Sequence, residues 1–187
     1  MTSTPSVPTK VELLDALRNS GRTALERLRA LPPDEFEQGR YENGWNGRQI
    51  LAHIASIEWT YARLLDVAKE GTPLAPDAKA PDVRRTEPGE AAATPTRTAQ
   101  GGILGYNDRQ VAKRADVSVE ELLAEFERNR AATIAAVEGA DEALLRTPIR
   151  SAGGITGALA SVINAVAVLH VLAHAGDIVG ADLSQQR

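Results

Sequence analysis

The sequence predicts an all-α protein, a four-helix bundle with a long crossover between its second and third helices. Three observations carry that expectation. Apolar residues recur at helical intervals in four long tracts, and no run of alternating β-branched residues marks a strand. A stretch of roughly 30 residues rich in Pro, Ala, Thr and Gly, too long for an ordinary loop, separates the second tract from the third. With 187 residues, 43% of them hydrophobic, the chain is sufficient for one core, and residues 1–187 read as a single domain.

The first helix covers 9–31. Thr9 and Glu12 have the spacing of a capping box, Val11, Leu14, Leu17, Leu25 and Leu28 follow at roughly helical intervals, and Pro32 and Pro33 end it. Gly21 costs about 1 kcal/mol against alanine in a helix interior but does not interrupt the stripe. Asn43-Gly44-Trp45-Asn46 then reads as a turn that presents Asn46 as N-cap of a second helix over 46–69. Its apolar face holds Ile50, Ile54, Ile57, Tyr61 and Leu64, and His53 lies on or beside that face.

The crossover, 71–105, contains Pro73, Pro76, Pro81, Pro88 and Pro95 and cannot be one helix. Extended, it easily spans the roughly 30–36 Å length of the second helix, so the second and third helices can run parallel. A short helical turn over 106–113 leads to Ser118 and Glu121, a second capping box, and to a third helix over 118–138 that Gly139 ends. Leu122, Leu123, Phe126, Ile134 and Val137 are expected to face inward, with Glu125, Glu127, Arg128 and Arg130 on the exposed face. After Gly153-Gly154 a fourth helix runs over 156–179, with Leu159, Ile163, Val166, Ala167, His170, His174 and Ile178 along one broad face and Gly180 as its stop.

A formal charge of −4 with no basic stripe excludes nucleic acid as an expected partner. No uninterrupted apolar run approaches the roughly 18 residues of a membrane span, because Ser161, Asn164, two histidines and Asp177 punctuate 155–179. The start, MTSTPSVPTK, has no signal-peptide pattern, so a soluble cytoplasmic protein without a membrane partner is expected. There is no cysteine. Chemistry must therefore come from histidine, carboxylates or hydroxyls, and any thiol must arrive with the substrate.

The three histidines carry the functional expectation. His170 and His174 are one helical turn apart on the fourth helix, and His53 is directed inward from the second. A lone inward histidine is ordinarily a hydrogen-bonded core residue. Three in an aliphatic interior each need partners for two nitrogens, and one divalent metal ion satisfies them together. Zinc suits imidazole ligands best, with nickel, iron and manganese also admissible. Three protein ligands leave a coordination position open, the pattern of a catalytic site.

Around the triad, Asp177 either accepts from an imidazole or takes a proton from water, or it is a solvated carboxylate at a helix end. Gln49, one turn before His53, has the same ambiguity, and Asn164 is either a hydrogen bond across the bundle or a pocket residue. Trp45 reads as a packing staple at the start of the second helix, with lining of the pocket as the alternative. Tyr106 and Asn107 stand where the crossover rejoins the bundle, where they either meet substrate or cap the helical turn. Gln49, Tyr61, Tyr106, Asn107 and Asn164 thus form the candidate pocket for a small-molecule substrate.

Two segments, Gly44-Trp45-Asn46-Gly47-Arg48-Gln49-Ile50-Leu51-Ala52-His53 and His170-Val171-Leu172-Ala173-His174-Ala175-Gly176-Asp177-Ile178, resemble the DinB-like superfamily, and residues 106–123 are similar to its third-helix start. That superfamily includes the N-terminal domain of mycothiol-dependent maleylpyruvate isomerase and related thiol-transferase proteins. The resemblance implies a divalent metal on His53, His170 and His174, a substrate pocket over it, and frequently a homodimer. It also implies a low-molecular-weight thiol cosubstrate, such as mycothiol or bacillithiol, activated at the metal to attack an electrophile. The isomerase group has a carboxylate where His170 stands and a further C-terminal domain, and relatives commonly carry Gln where Asp177 stands. The expected function is a metal-dependent thiol S-transferase acting on an electrophilic small molecule. The alternatives are a metal-dependent hydrolase and a non-catalytic, metal-stabilised bundle that binds a small ligand.

Overall fold

The computed structural model describes residues 6–39, 44–70 and 102–183. Its elements are α1 (Lys10–Arg29), a 3-10 turn (Pro33–Glu37), α2 (Gly47–Glu70), α3 (Gly102–Ala112), α4 (Val119–Glu138), the single turn α5 (Glu142–Leu145), a hairpin of β1 (Pro148–Arg150) and β2 (Thr156–Ala158), and α6 (Leu159–Val179). The fold is all-α, with α1, α2, α4 and α6 as the bundle. Residues 71–101 of the expected crossover lie outside the described residues, and 102–105 belong to α3.

Side chains at the helix starts fix where the helices begin. Thr9 and Glu12 cap α1 reciprocally, and Ser118 and Glu121 do the same for α4. The α2 start has the amide version: Asn46 Oδ1 accepts from the Gln49 backbone N–H at 2.9 Å, and Gln49 Oε1 accepts from the Asn46 N–H at 2.9 Å. Gln49 thus spends its side-chain oxygen on the helix cap.

Hydrogen bonds between helices give their directions. Asn129 donates to the Ala55 carbonyl and Arg130 pairs with Glu58, so α2 and α4 run parallel, as the crossover length allows. Lys10 reaches the Glu138 and Ala140 carbonyls while Arg29 meets Glu127, so α1 is antiparallel to α4. α6 packs against α1 and α2. Leu13, Leu17, Ile50, Ile54, Leu122, Phe126, Ile163 and Val171 fill the shared core.

Three expectations need correction. The fourth tract does not enter its helix at 156: Thr156–Ala158 pairs antiparallel with Pro148–Arg150 around the Gly153-Gly154 turn. Three-residue strands are too short to display a period of two. The helical turn expected over 106–113 is the 11-residue helix α3. Arg130 is not on the exposed face of α4; it is 4% exposed and paired with the fully buried Glu58.

Among the described residues α6 is the one helix long and apolar enough to cross a bilayer, with mean hydropathy 1.7. Half of that window is buried in the bundle. Its middle, Asn164–Leu169, is wound as a π-helix between α-helical ends. It stops at Gly180, whose φ of 69° is left-handed, and the Ala181 N–H returns to the Gly176 carbonyl at 3.0 Å. The chain then folds so tightly over the helix that a Cβ at Gly176 would lie 2.5 Å from the Ala181 carbonyl oxygen. Gly176→Ala is therefore expected to cost about 1–3 kcal/mol in urea denaturation, because backbone must move. Unchanged stability would show that 181–183 is not seated there.

Candidate metal centre

The α2 stripe that buries Ile50, Ile54 and Tyr61 also carries His53 inward, at 4% exposure. His170 and His174 face it from the last segment of α6. The ring centroids of His53 lie 5.4 Å from His170 and 5.1 Å from His174, and those of His170 and His174 are 4.3 Å apart. One nitrogen from each ring falls within 4.8 Å of the others. A tetrahedral ion with metal–nitrogen bonds of about 2.1 Å separates its ligands by roughly 3.4 Å, so small side-chain adjustments suffice.

The outer nitrogen of His174 indicates its tautomer. His174 Nδ1 is 3.2 Å from Asp177 Oδ2, so Nδ1 carries the proton and donates it. The His170 Nε2 faces that of His174 at 2.9 Å, close enough for one ring to donate to the other without metal, or for both to ligate one ion. His53 Nδ1 is buried with no hydrogen-bond partner. Three ring nitrogens within reach of one ion, on rings that include this orphaned one, fit a divalent metal.

Burial, followed by the neighbouring imidazoles, lowers the His53 pKa to about 3; burial, followed by His174, lowers that of His170 to about 4. Burial also lowers that of His174, against the opposing pull of Asp177. All three rings are neutral near pH 7, the form that ligates metal. The unfolded chain takes up protons around pH 6.5 that the folded rings refuse, so stability is complete above that value and falls as pH drops toward 4. Metal-free protein is expected to lose about 1 kcal/mol for each of His53 and His170 between about pH 7 and 5.5, roughly 2 kcal/mol together. Urea denaturation at the two pH values checks this, and equal midpoints would contradict neutral burial.

The structure brings other groups to the imidazoles. The Trp45 ring centroid is 5.4 Å from that of His53, which makes Trp45 part of the site's wall rather than only a staple. The Tyr61 hydroxyl, which burial keeps protonated, lies 3.5 Å from His170 Nδ1, at the limit of a hydrogen bond. Gln49 is engaged in the cap of α2. Asn107 Oδ1 is buried without a hydrogen-bond partner, Tyr106 packs half-buried on the core, and Asn164 opens the π segment. A groove of about 510 Å³ runs past Asp177 along the end of α6, lined by Leu172, Gly176, Asp182 and neighbours rather than by the histidines.

Four packed helices with three imidazoles gathered from α2 and α6 define an all-α bundle with a buried, metal-competent histidine cluster. A family model described as the DinB superfamily matches residues 16–177, and the chain belongs to that superfamily. The fold is similar to the crystal structure of the mycothiol-dependent maleylpyruvate isomerase, with a TM-score of 0.64 and 18% identity over 95% of this chain and 63% of that one. A point mutant of the same isomerase matches with a TM-score of 0.64 and 17% identity, over the same shares. This chain therefore spans less than two thirds of the length of those structures. No curated protein matches the sequence.

Proposed function

We propose that the protein holds one divalent ion, zinc first among the candidates, on His53, His170 and His174 and acts as a thiol S-transferase. The reaction joins the sulfur of a low-molecular-weight thiol to an electrophilic small molecule. The observation that carries the metal is the convergence of one nitrogen from each of three rings within 4.8 Å, beside an unpartnered His53 nitrogen. Support for the thiol comes from the superfamily and from a similar fold in a mycothiol-dependent enzyme. The chain has no sulfhydryl of its own, so the reacting sulfur must belong to a cosubstrate.

When bound, the ion supplies Lewis acidity, lowering the pKa of a coordinated thiol. The protein's residues do the rest. Asp177 fixes the Nδ1–H side of His174, which leaves Nε2 as its ligating atom, and the His170 Nε2 faces it. Asp177, 40% exposed, touches both an imidazole and solvent, and so stands where a proton can leave the site. Trp45 and Tyr61 wall the imidazoles with aromatic surface that limits water. The same reading has the protein act as a homodimer in the cytoplasm.

The test offers mycothiol, bacillithiol and glutathione with a fluorogenic electrophile to zinc- and nickel-loaded protein. Conjugation with at least one thiol, lost on chelation and in His170→Ala, is expected. Metal-loaded protein that conjugates none of them rejects the transferase.

A further inference from the structure

His170 is the first residue after the π segment, and its backbone N–H bonds to the Ala165 carbonyl five residues back. A π turn holds one residue more than an α turn, so everything beyond it is rotated by about 100° relative to a straight continuation. Such a widening leaves a carbonyl without its usual amide partner. Here the Ala167 carbonyl accepts from Arg130 Nη2.

Arg130 reaches this point through a fully used guanidinium. Nε and Nη2 fork onto the two Glu58 oxygens at 2.6 and 3.0 Å, and Nη1 donates to the Leu17 carbonyl and to Ser20 Oγ, both at 2.9 Å. One side chain of α4 therefore ties α1, α2 and the π segment of α6 together. Gly21 makes room for it, since a Cβ there would lie 3.2 Å from Arg130 Cγ.

We infer that Arg130, held by Glu58, is a positioning residue for the metal centre: by engaging the Ala167 carbonyl it keeps the π segment wound and sets the rotation at which His170 and His174 together meet His53. Rewinding to a regular α-helix would turn both rings away from His53. The consequence for metal rests on the reading above; the consequence for the two rings does not.

Two variants test it, Arg130→Lys, which keeps a cation beside Glu58 but cannot fork, and the paired Glu58→Leu/Arg130→Met, which leaves no buried charge. Arg114→Gln, whose pair with Glu125 lies at the α3–α4 turn, is the control. Cobalt(II) is titrated into each protein by chelator competition with its visible spectrum recorded, and the metal-free paired variant is crystallised. The expected result is cobalt affinity weakened about tenfold or more and altered ligand-field bands in both variants, with the control unchanged. The metal-free crystal is expected to show the π segment rewound and His170 and His174 turned away from His53. Folded variants with wild-type affinity and spectrum, or a retained π segment, overturn the inference. If the paired variant does not fold, Arg130→Lys decides by affinity, spectrum and its own crystal. If wild-type protein binds no cobalt, the metal reading falls and the crystallised variant alone decides the positioning role.

Discussion

Arg130→Ala is expected to lower the free energy of unfolding by about 3–5 kcal/mol, because it strands the Glu58 carboxylate in the core. Burial pushes that carboxyl upward in pKa, and the guanidinium opposes the shift. A loss of this size is a large part of the roughly 5–15 kcal/mol that holds a domain folded. A comparison isolates the cause. Arg18 and Glu138 are also 2.6 Å apart, but both side chains are half exposed. Arg18→Ala should cost no more than about 1 kcal/mol. Distance is the same in the two pairs, so solvent access decides. Urea denaturation of both variants checks the contrast, and equal losses would show that Glu58 finds other partners or water.

His53→Ala should weaken divalent-metal affinity at least about a hundredfold, since it removes one of three protein ligands from a buried site. Protein at about 100 times its dissociation constant in metal gains roughly 2.7 kcal/mol of stability. The variant should gain almost none at the same metal concentration. The comparison is the metal-induced shift within each protein, which cancels the cost of the cavity left by the imidazole. Equal shifts in both proteins would exclude His53 as a ligand.

Local chemistry explains what was legible in the sequence. The capping boxes at Thr9 and Ser118, the proline stops and the left-handed Gly180 act within a turn, so they can be read from spacing. Three histidines on inward faces follow from helical period. Arg130 was expected outside because a charged side chain usually is, and its burial depends on residues far away in sequence. Their signals were present but weak: Glu58 is an acid four after Ile54 and three before Tyr61, inside an apolar stripe, and Gly21 with Ser20 supplies small residues on α1. Trp45 escaped the helical count because it precedes the helix, although the turn swings its ring against His53. The π segment has neither proline nor glycine to announce it. Its visible partner is Arg130, a contact 37 residues away.

X-ray absorption at the zinc edge, on protein loaded with one equivalent and passed through gel filtration, tests the three-histidine centre most directly. The account predicts retained zinc with three imidazole nitrogens at about 2.0–2.1 Å and one further light ligand. Zinc lost on the column, or a coordination shell without imidazole scattering, would contradict it.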